Sequence, residues 1–174
     1  MALPGSVYVY QGEELGLWEV QDIPDELRQD PIWWRTGGAD PGRDGCRVPL
    51  PWSGSEPPFG FSPPGAGRPP WLPQPAAWRD LTVTAEAASP ASMLALYRAA
   101  LHIRRAEPDL GDGPMNWLPS PDGILTFDRG ASVRCVTNLS AAPAGLPPHA
   151  EVILASGPLA DGLLPPDTAV WLRI

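Results

Sequence analysis

A short loop at residues 38–52 carries the side chains best suited to recognition chemistry. Arg43, Asp44 and Arg47 lie there within a run of glycines and prolines, which prevent a regular helix or ladder and hold these side chains in a constrained turn. A guanidinium is a fixed fork of donors that suits a carboxylate or a pair of sugar hydroxyls. The residues alone leave two interpretations open. The loop recognises a ligand, or one arginine pairs with Asp40 or Asp44 merely to hold the loop, which is the commoner role of charged loop residues.

Two adjacent carboxylates, Glu13 and Glu14, form a second candidate site. They follow the β-branched and aromatic run at residues 6–10, which predicts a short strand buried on both faces, as in a parallel sheet. Because adjacent residues of an extended chain point to opposite faces, we do not expect the two carboxylates to act together as acid and base on one bond. We predict instead that they accept hydrogen bonds from loop amides or from an arginine.

Three kinds of segment follow one another along the chain: a long loop region, a helix and a region of short strands. Residues 18–80 form a long excursion rich in Pro, Gly and Trp, with one predicted helical turn at residues 24–28. Ser89 and Pro90 predict the N-cap and first position of a helix that ends near Pro108, with Arg104 and Arg105 in its last turn. From Gly123 onward the hydrophobic period is two. Four runs then predict a small antiparallel sheet, at residues 124–129, 132–138, 151–155 and 169–173, with a hairpin turn at Arg129-Gly130.

The composition indicates a folded, acidic and loop-rich protein. A hydrophobic content of 43% and eight tryptophans argue against disorder, although 25 prolines and 18 glycines make up about a quarter of the chain. A net charge of -8 argues against a nucleic-acid partner. All 12 basic residues are arginines, which excludes a lysine nucleophile.

The cysteines and histidines give no metal or cofactor signature. Cys46 and Cys135 are far apart, without the spacing of a zinc site or redox pair, so neither a metal nor a cofactor is predicted and a reduced, cytoplasmic setting is the default. We predict that Cys135 is a core residue of its strand, that His102 is a packed or exposed helix residue, and that His149 lies in a loop. No apolar run is long enough to span a bilayer, and the first residues lack the pattern of a signal peptide.

Two segments resemble α-glucosidases of glycoside hydrolase family 13, and they occur in the order found there. Residues 42–52, Gly-Arg-Asp-Gly-Cys-Arg-Val-Pro-Leu-Pro-Trp, are similar to the family's Arg-Asp-x-x-Arg-x-Pro-x-x-Trp segment. Residues 3–17 resemble its last barrel strand with a Tyr-x-Gly-Glu-Glu-x-Gly ending. Residues 30–33, Asp-Pro-Ile-Trp, and 71–75, Trp-Leu-Pro-Gln-Pro, extend the likeness to nearly the whole chain.

The resemblance implies an α/β plus all-β fold class. Residues 1–108 would be the last strand, the long active-site loop and the last helix of a (β/α)8 TIM barrel, residues 109–120 a linker, and residues 121–174 a small antiparallel C-terminal β domain. The family's Asp nucleophile and Glu acid/base lie on earlier strands and are not matched here. The resemblance therefore implies a C-terminal fragment of an oligo-1,6-glucosidase- or maltase-like enzyme, inactive without its N-terminal barrel segment.

The resemblance also implies roles for the loop side chains. Arg47 would contact the glucosyl unit of an oligosaccharide substrate or orient a pocket carboxylate, with Arg43 and Asp44 as supports. Trp34 departs from the pattern, since an acidic residue is common at that place in similar sequences. We expect the rings of Trp33, Trp34 and Trp52 to pack against the rest of the protein and anchor their loops rather than to stack on a sugar.

Two further functions remain open at this point. A non-catalytic β-sandwich module that binds carbohydrate or protein would need aromatic residues in register on one sheet face, and only Phe127 and Trp171 fall in the predicted strands. A proline-rich interaction segment would use the Pro-Pro pairs that begin at residues 57, 63, 69, 147 and 165 as polyproline II helices.

Overall fold

The computed structural model describes all 174 residues, which divide into two compact units. The first, the sheet unit, consists of Met1–Tyr8 and Tyr97–Ile174, and the second, the loop unit, of Val9–Leu96. Each unit has a hydrophobic core of its own.

The sheet unit is built on a five-stranded antiparallel sheet. Its strands are β1 (Met115–Leu118), β2 (Ile124–Arg129), β3 (Val133–Asn138), β5 (Glu151–Ala155) and β7 (Thr168–Arg173), in the order β1-β2-β3-β7-β5. Two short strands, β4 (Ala144–Gly145) and β6 (Leu163–Leu164), form a separate ribbon. The four predicted strands are confirmed, with β3 beginning one residue later and β7 one residue earlier than predicted.

The predicted hairpin turn between β2 and β3 is also confirmed. Gly130 adopts a φ of 57°, which an L side chain rarely tolerates. Beyond the turn, Asp128 faces Arg134 across the two strands, and both carboxylate oxygens accept from the guanidinium at 2.7 and 3.0 Å. This bidentate pair fixes the register next to the turn.

Both faces of the sheet are covered. On one face Phe127, Cys135 and Trp171 pack with Ala100 and Leu110, and on the other Val136, Val170 and Leu172 pack with Leu164 of β6. Cys135 is therefore a core residue, as predicted. The aromatic rings of Phe127 and Trp171 are buried, so these two residues offer no stacking platform to a carbohydrate.

The long helix α3 (Met93–Ala106) ends where the sequence predicts, but it begins later. Its N-cap is Ser92, whose hydroxyl accepts from the backbone N–H of Ala95 at 3.1 Å. Ser89 and Pro90, which were predicted to begin the helix, lie before this cap. Serine is an equally good N-cap at either position, so the sequence alone does not distinguish Ser89 from Ser92. The side chain of His102 is exposed on α3 and His149 lies in a loop, both as predicted.

The segment predicted as a linker is structured. Residues 109–120 contain the end of α4 (Pro108–Gly111) and the whole of β1. β1 has only four residues and lacks strict alternation, so the period-two pattern did not reveal it. It adds a third aromatic residue to the sheet, Trp117, whose ring meets that of Phe127 edge-on at 5.2 Å.

Two arginines hold the first residues of the chain within the sheet unit. Arg104 donates to the carbonyl oxygens of Met1, Leu3 and Gly5. Arg129, which is fully buried, donates to the carbonyl oxygen of Ala2. The backbone at residues 1–5 is thus fixed by guanidinium groups rather than by a β-ladder.

The strand predicted at residues 6–10 does not form a ladder. A strand needs at least one hydrogen-bonded neighbour, and no strand of this chain pairs with these residues. Their side chains are accordingly open to solvent, with Tyr8 88% exposed.

The loop unit consists of short turns around a small core. It contains α1 (Pro31–Arg35), α2 (Val83–Ala87) and four 3-10 helices, Glu13–Leu15, Asp25–Leu27, Asp44–Cys46 and Ala76–Leu81. The second of these confirms the predicted helical turn. The core gathers side chains that are widely spaced along the unit, including Val20, Val48, Phe59, Leu72 and Trp78. None of the helices of the protein is both long and apolar enough to cross a membrane.

Candidate functional site

The loop that carries the arginines is shaped by glycines and a 3-10 helix. Gly42 adopts a φ of 68°, and the chain then turns through Asp44–Cys46. The Gly45 carbonyl accepts from the N–H of Val20 at 3.1 Å, and a Cβ on Gly45 would lie 2.4 Å from the Val20 carbonyl oxygen. Only glycine permits this close approach, which sets the loop against the core of its unit.

Asp44 is the buried anchor of the loop. Its side chain is 3% exposed, and its Oδ2 accepts from the backbone N–H groups of Gln29 and Asp30 at 2.7 and 2.9 Å. Its Oδ1 lies 3.6 Å from Nη1 of Arg47. Asp44 therefore ties the loop to the start of α1 and at the same time faces the guanidinium.

Asp30 is the second carboxylate of the site. Its Oδ1 caps α1 by accepting from the N–H of Ile32 at 3.1 Å, and its Oδ2 accepts from the N–H of Arg43 at 3.1 Å. The same Oδ2 lies 3.2 Å from Nη1 of Arg47. The hydrogen bonds from Ile32 and Arg43 hold the pKa of Asp30 below its ordinary value, so the carboxylate remains ionised beside the guanidinium.

Arg47 is held at one end and open at the other. Nη1 faces Asp30 and Asp44, whereas the side chain as a whole is 43% exposed. Its Nε and Nη2 groups make no hydrogen bond within the protein. An oriented guanidinium with open N–H groups is suited to hydroxyl or carboxylate acceptors.

Of the three predicted site residues, two are in side-chain contact and the third contributes only its backbone. Arg47 and Asp44 are in contact, so the internal pair considered from the sequence does exist. Arg43 contributes its backbone N–H to Asp30, while its side chain is exposed and forms no ion pair. Asp30 was missed as a site residue, although an Asp-Pro pair at the start of a helix is a sequence signal for an N-cap.

Glu13 and Glu14 bind loop amides, as predicted. Glu13 accepts from the N–H of Tyr10 at 3.0 Å, and Glu14 accepts from the N–H of Gly12 at 2.8 Å. The expected extended geometry was wrong, because both residues lie in a 3-10 helix. Both carboxylates thus bind backbone amides of their own turn, and their positions do not suit a catalytic acid–base pair.

The two motifs meet at a small cavity of about 80 Å³. Its lining includes Tyr10, Gly12 and Glu13 from the first motif and Gly45 and Cys46 from the second. The Tyr10 hydroxyl points to the Cys46 sulfur at 3.9 Å, and this contact raises the pKa of Tyr10. The structure thus brings into one place two segments that are separated by some thirty residues of sequence.

The tryptophans of the loop unit differ in whether their rings contact other residues of the unit. The Arg28 guanidinium lies over the Trp33 ring at 4.8 Å, and the Trp71 N–H donates to the Leu27 carbonyl at 2.8 Å. Trp34 and Trp52 are 66% and 48% exposed. The anchoring role predicted for Trp33, Trp34 and Trp52 therefore holds for Trp33, whereas the side chains of Trp34 and Trp52 are largely open to solvent.

A second concavity, with a volume of about 930 Å³, lies in the loop unit. Many of the prolines between residues 57 and 73 line it, together with Trp71 and Arg68. The first three Pro-Pro pairs thus form the wall of a groove. No group of three or more His, Cys, Asp or Glu side chains in the protein is arranged to hold a metal ion.

Comparison with known proteins agrees with this architecture. Residues 1–113 match the family described as alpha amylase, catalytic domain, and residues 124–171 match a domain of unknown function, DUF3459. A probable alpha-glucosidase of Rhizobium meliloti (strain 1021) is 38% identical over 143 residues, which are 80% of this chain and 25% of that protein. Oligo-1,6-glucosidase IMA3 of Saccharomyces cerevisiae (strain ATCC 204508 / S288c) is 32% identical over 131 residues, or 63% of this chain and 22% of that protein.

Solved structures show the same relationship. The alpha-glucosyl transfer enzyme XgtA is 33% identical with a TM-score of 0.75, over 95% of this chain and 32% of its own. The trehalulose synthase MutB, in an inactive double mutant, has a TM-score of 0.78 at 21% identity over 99% of this chain and 36% of its own, which shows the fold alone. The chain spans about a quarter of the length of the curated relatives. Its fold class is that of part of a TIM barrel followed by an antiparallel β domain, and the chain belongs to the α-amylase family, glycoside hydrolase family 13.

Proposed function

We propose that this chain is the C-terminal part of a retaining α-glucosidase that hydrolyses terminal α-glucosidic bonds of short gluco-oligosaccharides. Residues 1–108 would complete the barrel, and the β domain, predicted at residues 121–174, would also include β1 (Met115–Leu118). The observation that carries the proposal is the Arg47 guanidinium, which is oriented by two carboxylates at one end and open to solvent at the other. The names of the Rhizobium and yeast relatives support the substrate class.

The chemistry assigns this chain a binding role rather than a catalytic one. Retaining glycosidases need a carboxylate nucleophile and a carboxylic acid about 5 Å apart across the scissile bond. In the α-glucosidases these residues come from earlier strands, and no pair in this chain matches them. The guanidinium of Arg47 would instead donate hydrogen bonds to sugar hydroxyls and hold the glucosyl unit in register with groups supplied by the rest of the barrel. The chain on its own is therefore expected to be inactive.

Glucosyl transfer to a sugar acceptor is a second candidate function. XgtA, at 33% identity, is named as an alpha-glucosyl transfer enzyme. Transfer and hydrolysis share the covalent intermediate and differ only in the acceptor that attacks it. An assay that measures both released glucose and transfer products therefore separates them.

The first experiment is to determine the size of the polypeptide in its source cell by intact-mass and peptide-coverage mass spectrometry. The proposal predicts a protein several times longer than this chain, which releases glucose from maltose or isomaltose with retention of configuration. A polypeptide of 18.6 kDa, or a longer one without glucosidase or transferase activity, would overturn it. We also propose a cytoplasmic location, because both cysteines are free thiols, and cell fractionation tests this directly.

Arg47→Ala in that longer protein should lower activity far more than stability. The ion pair is partly exposed and contributes at most about 1 kcal/mol, since glycines and the 3-10 helix set the bend of the loop. A positioning contact to substrate contributes on the order of a hundredfold in kcat/KM. Kinetics on maltose and a thermal melt of the same preparation measure the two effects, and losses of equal size would contradict the assignment.

A further inference from the structure

We propose that the second concavity of the loop unit is a carbohydrate-binding site for a neutral oligosaccharide. This concavity, the proline groove, has a volume of about 930 Å³, which lies within the range of pockets that hold small organic ligands. Trp71, Arg68 and Gln74 line it together with all seven prolines between residues 57 and 73. The residues assigned above to the glucosyl unit do not line it, so the site goes beyond the proposed function.

Trp71 gives the proline groove a fixed aromatic face. Its indole N–H donates to the carbonyl oxygen of Leu27 at 2.8 Å, which holds the ring by its edge and fixes the direction of its faces. The residue nevertheless remains 58% exposed. The negative face of an indole ring attracts the weakly positive C–H groups on the flat side of a sugar ring. Because the ring is oriented before the ligand arrives, the entropy cost of binding is lower.

The walls of the groove are rich in hydrogen-bond acceptors and poor in donors. Proline has no backbone N–H, and the carbonyl oxygens of Pro64, Pro69 and Pro70 accept no hydrogen bond within the protein. Gln74 adds a further acceptor, because its Nε2 donates to the carbonyl oxygen of Pro49 at 2.9 Å and its buried Oε1 has no partner. A ligand with many O–H donors therefore fits these walls, since each hydroxyl supplies the donor that an unpaired acceptor lacks.

The charge of the groove also favours a neutral ligand. No carboxylate lines it, although the chain as a whole has a net charge of -8. Arg68 is the one ionised side chain of the lining, and it is exposed and forms no ion pair. Its guanidinium fork is free to donate to two neighbouring hydroxyls of a sugar. An anionic ligand would face the carbonyl oxygens of the walls, which repel negative charge.

A proline-rich peptide is the other ligand that a groove of prolines and tryptophan suggests. Such peptides dock as polyproline II helices into grooves lined by aromatic residues, and Trp71 is the only aromatic residue in this lining. A polyproline segment also lacks N–H donors, so it would leave the acceptors of the walls unpaired. An oligosaccharide matches both the single aromatic face and the acceptors.

The test is a titration of this chain with maltoheptaose, followed by calorimetry and by the indole N–H signals of its tryptophans in nuclear magnetic resonance spectra. The choice of an α-linked glucan as the probe rests on the proposed function. Trp71→Ala removes the stacking face, and Trp71→Phe keeps a face but loses the N–H that orients it. Trp34→Ala is the matched control, because Trp34 is 66% exposed in the same unit and does not line the groove. A thermal melt of each protein shows that it is folded.

In the wild type, the Trp71 signal should shift and saturate with maltoheptaose, whereas the Trp34 signal should stay in place. Trp71→Ala should weaken binding at least about tenfold, and Trp71→Phe should weaken it less. Arg68→Gln should weaken binding about two- to tenfold, as expected for the loss of a hydrogen bond. Trp34→Ala should change it by less than about twofold.

Two results would overturn the proposal: no saturable shift of the Trp71 signal, or equal binding by Trp71→Ala and Trp34→Ala. Binding of a decaproline peptide at Trp71 in preference to maltoheptaose would do so as well. The test also separates the groove from the proposed function. Glucosidase activity in the longer protein without maltoheptaose binding at Trp71 would overturn the groove alone. Binding at Trp71, with neither glucosidase nor transferase activity in the longer protein, would overturn the proposed function and leave the groove standing.

Discussion

Replacement of Arg129 by methionine tests how the sheet unit holds a buried cation. The guanidinium is completely inaccessible to solvent and has no carboxylate within ion-pair distance. It donates instead to four carbonyl oxygens, those of Ala2, Leu110, Gly111 and Gly113. Its Nε has no partner, and burial lowers its pKa. The hydrogen bonds that stabilise the charge therefore all go to backbone carbonyl groups, and the nearby Asp109 adds a longer-range attraction.

The magnitude follows from two opposing terms. Hydrogen bonds from a charged donor contribute about 1.5–3 kcal/mol each, whereas removal of a guanidinium from water costs on the order of several kcal/mol. Methionine fills much of the same volume but leaves the carbonyl groups without a donor. Each buried carbonyl that no water can reach then costs about 1–3 kcal/mol. We expect a net loss of about 3–5 kcal/mol, because four carbonyl groups lose their donor and the relief of the desolvation cost offsets only part of that loss.

Urea unfolding and a thermal melt of the chain measure this loss. For a protein of this size, about 1 kcal/mol corresponds to 2–4 °C in Tm, so the variant should melt roughly 6–20 °C below the wild type. Arg105→Met is the matched control, because Arg105 is exposed and makes no hydrogen bond or ion pair, and its effect should lie within about 0.5 kcal/mol. If Arg129→Met proved as stable as this control, desolvation would cancel the carbonyl bonds and the reasoning would be refuted.

Three shorter predictions concern a glycine, a carboxylate and the thiols. Gly42→Ala should destabilise the protein by about 1–3 kcal/mol more than Gly37→Ala in urea unfolding. Both glycines have a positive φ, but only a Cβ on Gly42 would lie within 3 Å of the Asp30 side chain. Equal losses from the two substitutions would mean that the loop relaxes freely. Hydrogen bonds from a serine hydroxyl and from backbone amides hold the pKa of Asp109 below 3.8. Asp109→Asn should therefore lower the urea concentration at the unfolding midpoint at pH 7. The difference in midpoint between wild type and variant should disappear as the pH drops through the lowered pKa of Asp109. A difference that does not change with pH would contradict this role of the carboxylate. A disulfide reagent should modify only Cys46 in the native protein and both thiols in denaturant, since burial raises the pKa of Cys135 to about 12; modification of two thiols in the native state would show that the sheet opens.

Local pattern was sufficient for the elements that depend on near neighbours. The helix end at Ala106, the strands at residues 124–129 and 151–155, and the hairpin turn at Gly130 all follow from periodicity, proline and glycine. Periodicity failed where the decisive partner is distant in sequence. Residues 6–10 have the composition of a strand, but a strand exists only as part of a ladder, and no other strand of this chain supplies one.

The candidate site divides in the same way. Residue types and short spacings are local properties, so they were enough to predict a turn-rich loop that contains Arg43, Asp44 and Arg47 and to reveal the resemblance to the α-glucosidases. Folding was needed to show that Asp44 is a buried anchor, that Asp30 is the nearer partner of Arg47, and that Arg129 donates its hydrogen bonds to carbonyl groups. Those contacts join residues 3 to 127 positions apart. Burial and ion pairing depend on where the chain packs, and the sequence pattern does not record that.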